Sequence, residues 1–341
     1  WVRDLPNLCV GSNTITLQDP APLVTSGYIS SNYGGQQISC NGVSDGEITA
    51  VVSGGVGGFT YSLSSSGPYI SNNIFTSQSG SVSGTQYTVY YQDANGCPTD
   101  EDLTITSPLA LSSSLDVTSD YNGQDISCNG YANGEITVSN ISGGTGTMSY
   151  SWVSSPSTSN ILSGLSAGSY TSTVTDINGC PHSQTTTVTE PPLLSQVSII
   201  KEDISCHGLT DGGITLTIQG GTAPFNYSWS NSSQNNSTNT IDVISGLSAN
   251  DYFCFVEDAN LCPLTSATVT VVEPPLVEIT LQVSSSYTGE DVSCVGSTDG
   301  VVTATATGGS GNYEYSIDNF IISQSSPVFT SLNASTHEIW V

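Results

Sequence analysis

Four copies of one pattern constrain this chain more than any other feature. Ile38 opens ISCNGVSDGEITAVVSGGVGGFTYSL and Ile126 opens ISCNGYANGEITVSNISGGTGTMSYSW. Ile204 opens ISCHGLTDGGITLTIQGGTAPFNYSW and Val292 opens VSCVGSTDGVVTATATGGSGNYEYSI. Each copy holds a cysteine, a Gly-rich turn closed by a D/N-G pair, an alternating run, a Gly-Gly turn and a second alternating run. A recurring unit of this length marks an array in which each copy is one supersecondary unit stacked on its neighbours.

The runs are strands. Residues 47–52, 135–139, 214–218 and 301–305 alternate or are β-branched throughout. After them come Phe59-Tyr61-Leu63, Met148-Tyr150-Trp152, Phe225-Tyr227-Trp229 and Tyr313-Tyr315-Ile317, all at spacing two. Period two puts each trio on one face, and its size marks that face as core. Tyr61, Tyr150, Trp152, Tyr227, Trp229 and Tyr315 are therefore expected inside. The Gly pairs before them stand where a turn needs positive φ. In ISGLSAGSY-like stretches a leucine precedes Tyr170 and Tyr252 by five residues. That spacing fits the corner before strand F of an Ig-like sandwich, where a tyrosine hydroxyl ties back to the backbone. The first repeat shortens this corner (84–87), and the fourth has His337 in place of the tyrosine. About seven short strands per roughly 80 residues, with no helical period, predict an all-β chain: a tandem array of Ig-like β-sandwich domains, as beads on a string or a filament.

The borders follow from proline. Strands end at Pro20, Pro108, Pro191 and Pro274, where ladder pairing stops and a short linker stiffens. Residues 1–20 then read as the C-terminal strands of a preceding repeat, because RDLPNLC matches QDANGC, TDINGC and EDANLC. Four repeats follow at 21–107, 108–191, 192–274 and 275–341. The last is expected to lack its final strands and to expose a sheet edge. Trp1-Val2 and Trp340-Val341 align to the same point of strand F. The chain is therefore expected to be a segment of a longer array, completed by continuation or by head-to-tail strand pairing between copies.

Charge narrows the partners. Lys and Arg total 2 against 29 Asp and Glu, a net charge of -27. Nucleic acid and anionic membranes need clustered cations, so neither is an expected partner. No apolar run reaches the length of a membrane helix, and no direct membrane insertion is expected. With 36% hydrophobic residues at strand spacing, disorder is not expected either.

Of nine cysteines, eight form a framework of two per repeat: Cys9, Cys40, Cys97, Cys128, Cys180, Cys206, Cys262 and Cys294. Paired cysteines in small acidic domains point to disulfides rather than to metal or catalysis. Two connectivities stay open. Bonds within domains would be Cys40–Cys97, Cys128–Cys180 and Cys206–Cys262. Bonds between neighbours would be Cys40–Cys180 and Cys128–Cys262, because the two cysteines of one sandwich stand at opposite ends of it. Cys254, between Phe253 and Phe255, is expected as a free thiol.

No catalytic or metal constellation emerges, and no enzyme is expected. His182, His207 and His337 lie in different repeats without a recurring partner. Asp45, Asp211 and Asp299 precede glycine, and Asp93, Asp176 and Asp258 open the F–G turn. Ca²⁺ at domain junctions would need several such oxygens to converge, whereas turn chemistry alone explains Asp at these places. Asn140, Asn226, Asn231, Asn235, Asn236 and Asn333 begin glycosylation acceptor sequences. Tyr28, Tyr33, Tyr69, Tyr121 and Tyr287 lie outside the core strands. They are candidates to line a carbohydrate face, or to serve in edge packing.

Five motifs in order now carry a resemblance: V/I-S-C-x-G-x-x-D/N-G-x-I/V-T, G-G-x-x-x-Y/F-x-Y-S-W, G-L-x-A-G-x-Y, D-x-N-G-C and T-V-T-E-P. The whole chain resembles the SprB repeat family, the tandem repeats of Bacteroidota gliding-motility adhesins. The resemblance implies type IX secretion, display on the outer membrane and a structural role in gliding or attachment. An array of carbohydrate-binding modules is the alternative, with extracellular polysaccharide as partner. Neighbouring repeats or head-to-tail copies are partners under either reading.

Overall fold

The computed structural model describes residues 2–3, 6 and 10–341. Every regular element among the described residues is a β-strand. The chain forms two compact units, residues 1–119 with 132–188, and residues 120–131 with 189–341.

In the first unit, the second repeat shows the architecture most completely. Ser112–Val117, Gly134–Ser142 and Ile161–Leu165 make one antiparallel sheet. Ser149–Trp152, Gly168–Thr175 and Pro181–Val188 make the other. Chain order thus alternates between two layers as A–B–E and C–F–G, the Ig-like sandwich. Strand B explains itself locally: Gly134, Ile136 and Val138 are buried, and Glu135 and Thr137 between them are not. Burying each such aliphatic side chain contributes about 1.5–3 kcal/mol. Trp152 closes this core and Tyr150 is half-buried.

The first repeat repeats the scheme. Tyr28–Ile29, Gly46–Thr49 and Ile74–Gln78 form one sheet, and Thr60–Ser62, Thr85–Gln92 and Pro98–Ile105 the other. Ile38, Ile48, Val89, Tyr91 and Ile105 are fully buried between them. Ahead of this repeat, Val2–Arg3 pairs with Val10–Gly11. The following run TITLQDP, expected as a strand, adopts none, and Ile15 and Leu17 are exposed.

In the second unit, the third repeat packs Ser195–Glu202, Gly212–Gln219 and Ile241–Leu247 against a sheet of Gln234–Ser237, Phe225–Trp229, Cys254–Glu257 and Pro263–Thr265. Phe225, Tyr227 and Trp229 are all buried. Trp229 Nε1 donates to Asp242 Oδ2 at 2.7 Å, and Asn235 Nδ2 donates to Asp242 Oδ1 at 2.6 Å. The buried carboxylate therefore keeps partners, as burial of a charge demands.

The fourth repeat has the first layer alone as a full sheet, from Glu278–Val283, Gly300–Thr307 and Val328–Leu332. Opposite it, Tyr315 and Ser316 make isolated bridges to Gln324 and Trp340. Ile317 was expected inward but is exposed. The strand ends at Ser316, whose Oγ accepts from the backbone N–H of Asp318 and Phe320 and so turns the chain.

Candidate functional site at the repeat corners

Each Gly-Gly turn is a close approach. Both glycines have positive φ in every copy, from 55° to 83°. A Cβ on the first would stand about 2 Å from the carbonyl oxygen of Pro22, Ala110, Leu193 or Leu276. No other residue fits there. The second glycine donates its N–H to Ala21, Leu109, Pro192 or Pro275 at 2.8–3.0 Å, which fixes the entry of strand A.

The next N–H meets the F–G corner. Val56, Thr145 and Thr222 donate to Oδ2 of Asp93, Asp176 and Asp258 at 2.8–3.0 Å. The other oxygen of each aspartate accepts two N–H groups within the corner, those of Asn95 and Cys97, Asn178 and Cys180, or Asn260 and Cys262. Three backbone donors per carboxylate stabilise its charged form. Asp93 is accordingly held below the usual carboxylate range, first by Val56 and then by Cys97. The corner aspartates, candidate Ca²⁺ ligands by sequence, thus spend their oxygens on amides. Among the described residues no His, Cys, Asp and Glu cluster has metal-site geometry.

The A–B loop is equally ordered. Tyr33, Tyr121 and Tyr287 each close a small hairpin, exchanging backbone bonds with Gln36, Gln124 and Glu290. The Tyr33 hydroxyl donates to Asp45 O, and that of Tyr287 to Asp299 O. Asp45, Asp211 and Asp299 accept the N–H of Ser39, Ser205 and Ser293, all at 3.1 Å. Three tyrosines proposed for a sugar-binding face therefore build this loop. Tyr69 is half-buried and Tyr28 is exposed.

Loop and corner meet across repeat borders. Cys40 of the first loop bonds Cys180 of the second corner, and Cys128 bonds Cys262; Cα atoms are 5.6 Å apart in both. In the first unit, Asn178 Nδ2 donates to Tyr33 O at 3.2 Å and Ser39 O at 3.3 Å. Gly34 faces Thr145 and Ile177. In the second unit, Asn260 Nδ2 donates to Tyr121 O at 3.0 Å, and Asn122 Nδ2 donates to Asn260 Oδ1 at 2.6 Å. Beside this contact, Gly130 N–H reaches Glu190 Oε2 at 2.7 Å within the loop's own repeat. The recurring asparagine of D-x-N-x-C is the functional residue that sequence reasoning passed over, although its repetition was in plain view.

The pairings Cys40–Cys97, Cys128–Cys180 and Cys206–Cys262 do not form. Strand Gly134–Ser142 runs from the loop of its repeat to the Gly-Gly turn beside its corner. Nine residues of strand separate the two by roughly 30 Å. Cys97, Cys206 and Cys294 are exposed free thiols, and Cys254 is a buried one. Burial pushes the Cys254 thiol up to about 12. Cys9 lies outside the described residues, as does Trp1.

Elsewhere the corner tyrosines tie back: Tyr170 to Ser166 O at 2.9 Å, Tyr252 to Ser248 O at 3.0 Å and Tyr87 to Ser79 O at 2.9 Å. His337 does the same in the fourth repeat, with Nε2 at 3.0 Å from Asn333 O. The replaced tyrosine costs no corner, because the ring nitrogen reaches the carbonyl four residues back. Asn140, Asn226, Asn231, Asn235, Asn236 and Asn333 are all on the surface.

The family model of the SprB repeat matches residues 36–68, 121–156, 198–234 and 286–320. The first three matches each span A–B loop residues, strand B and all of strand C. No curated protein matches the chain in sequence. Solved structures with similarity include protocadherin gamma B2 extracellular cadherin domains 3–6, 9% identical, covering 91% of this chain and 92% of that one, with a TM-score of 0.28. Another is domains 1–6 of the surface layer protein SbsC, 11% identical, covering 92% and 52%, with a TM-score of 0.25. A C-terminal fragment of intimin, solved with the intimin-binding domain of its translocated receptor, is 14% identical over 53% and 67%, with a TM-score of 0.25.

Proposed function

The chain belongs to the SprB repeat family, and we propose that it is a structural segment of a secreted bacterial cell-surface adhesin that serves gliding motility or surface attachment. It is an extracellular repeat region. Type IX secretion and outer-membrane display belong to the proposal, as does the absence of catalysis.

The observation that supports this reading most is where the disulfides lie. They cross-link the loop of one repeat to the corner of the next, over sequence separations of 140 and 134 residues. A disulfide that closes a loop typically stabilises by about 2–4 kcal/mol. Bonds so placed resist separation of successive repeats, which is what a chain under tension between a cell and a surface requires. The acidic, cation-poor composition suits a surface that repels its neighbours and stays extended from the cell.

Antibodies raised against this segment test the proposal on producing cells. Labelling of intact cells together with blocked spreading or attachment is the expected result. Label confined to the cell interior, or surface label whose binding leaves both behaviours unchanged, overturns it. Polysaccharide binding is the competing outcome. It is read by retention of the chain on immobilised polysaccharide and its loss in Tyr28→Ala.

A further inference from the structure

One tyrosine recurs in strand C of every copy, as Tyr61, Tyr150, Tyr227 and Tyr315. In three copies a segment doubles back beside the strand and takes the backbone groups of this residue. Tyr61 exchanges bonds with Ile70 at 2.8 and 2.9 Å, and Tyr315 with Gln324 at 2.8 and 2.9 Å. Tyr227 pairs with Asn235 of the strand Gln234–Ser237. The second repeat has no such segment. Eight residues, 153–160, join Trp152 to Ile161, whereas thirteen, 230–242, join the matching Trp229 and Val243. The shorter connection turns at once, with Ser155 N–H on Trp152 O at 3.5 Å, and runs on to strand E. The side chain of Tyr150 is half-buried, where Tyr61, Tyr227 and Tyr315 are buried.

Alternate residues of an antiparallel strand aim their N–H and C=O groups at opposite neighbours. Ser149–Trp152 pairs with strand F on one side, and Val153 N–H reaches Thr171 O there at 3.2 Å. The odd positions thus face strand F, and Met148 and Tyr150 aim away from it. Among the described residues no group bonds the backbone of either on that side. Groups so spaced are a template for another extended backbone. Natural sheets block such edges with charge, proline or a bulge. Residues 147–152, TMSYSW, hold no charge and no proline, and their pairing with strand F has no register shift. The repeats before and after this one in sequence are each closed by two sheets, so the open edge is a property of the second repeat's own short loop.

We propose that strand C of the second repeat pairs edge to edge with the same strand of a second copy, antiparallel and two-fold about Ser149. Two three-stranded sheets then become one. Tyr150 of each copy exchanges backbone bonds with Met148 of the other, which restores what Ile70, Asn235 and Gln324 supply elsewhere. A centre on Ser149 keeps the turn at Ser155 clear, whereas a centre on Tyr150 would set it against Met148 of the other copy. The facing side chains suit each other: a Met148 thioether beside a Tyr150 ring, Ser149 opposite Ser149, and Thr147 opposite Ser151. A second copy is the fitting occupant because a two-fold axis lets one uncharged strand serve both sides. Each chain carries -27, with none of it on this strand, so pairing strengthens with salt. The contact is short and belongs to the weak, transient class. It goes beyond the adhesin reading and does not rest on it.

The test uses the whole chain at high salt, with the exposed thiols of Cys97, Cys206 and Cys294 alkylated. Sedimentation equilibrium should show a dimer whose share rises with concentration up to about 1 mM, the range of weak complexes. In dilute solution Tyr150 N–H should exchange as a free amide, and it should slow several-fold as the dimer fills, while Tyr61 and Tyr227 stay protected throughout. Ser149 is exposed, so its substitution leaves the fold intact. Ser149→Lys alone and Ser149→Glu alone set like charges opposite each other, and each should stay monomeric. Mixing the two variants should restore the dimer, and Ser169→Lys, on strand F of the same sheet, should dimerise as wild type does. A wild-type chain that stays monomeric at about 1 mM overturns the proposal. So does a dimer that both Ser149 variants form as readily, or a Tyr150 amide whose exchange ignores concentration. None of these results bears on surface labelling of cells, so failure here is separable from failure of the adhesin reading.

Discussion

The third and fourth repeats begin from nearly the same motif and end in different degrees of closure. In the third, Ile214, Leu216, Tyr227, Trp229, Val256 and Val271 form a continuous buried core between two sheets. In the fourth, Ala304, Tyr315, Phe329 and Ile339 are the buried members of the cluster, while Phe320, Ile321 and Ile322 are exposed. Strand B is no weaker in the fourth repeat: Gly300–Thr307 runs as long as Gly212–Gln219. The difference lies in what faces it. A B strand buries its inward residues only when the C–F–G layer covers them, so alternation sets which side is apolar, and the opposing sheet sets how much of it leaves water.

The largest test of this contrast is Trp229→Ala. It removes a buried indole and leaves Asp242 without one donor, and a loss of about 3–5 kcal/mol is expected in chemical denaturation of the third repeat. Unchanged unfolding would show that Trp229 is not central to that core.

Next in size is Cys262→Ser, which frees the loop at 120–131 from the third repeat. A loss of about 2–4 kcal/mol is expected, with Asn260 hydrogen bonding weakened and the fourth repeat unaffected. Equal destabilisation of both repeats would break the comparison, since the bond touches one of them.

Acid should treat the two repeats alike. Asp211 and Asp299 are both held below the usual carboxylate range, chiefly by the hydroxyls of Ser205 and Ser293 and then by their N–H groups. A depressed folded pKa means that the unfolded chain binds more protons. The stabilisation is therefore present above the unfolded value, about 4, and is lost as pH falls through the folded value. Amide exchange at Ser205 and Ser293 should rise together below about pH 4. Loosening of one turn alone would contradict the shared geometry.

The smallest effect sharpens the contrast from the other side. Ile321→Ser and Ile322→Ser should each change stability by less than about 0.5 kcal/mol, as at other exposed positions. Thiol labelling belongs with them: Cys206 and Cys294 should react at neutral pH, while Cys254, pushed up to about 12 by burial, should react after unfolding only. Early modification of Cys254 would mean that the third core opens more readily than its packing implies.

Much was legible in the residues alone. The alternation at 135–139 and 214–218, the Gly-Gly turns and the corner tyrosines are local rules, each readable from neighbours two to five positions away, and the sandwich follows from them. Ile317 shows where such rules stop: spacing two marks it as core, but Ser316 captures the next N–H groups and turns the chain before it. His337 shows the converse, since a different side chain makes the same corner bond.

By itself, then, the sequence determined the repeat, its β character, its turns and the pairing of cysteines as a class of chemistry. Tertiary structure alone decided which cysteines meet. Cys40 and Cys97 belong to one repeat, but the length of strand B carries loop and corner to opposite ends of the sandwich. The bond to Cys180 forms because it spans 5.6 Å between Cα atoms where the neighbouring corner comes to the loop. Disulfide geometry tolerates little more than that distance, and no spacing along the chain encodes it.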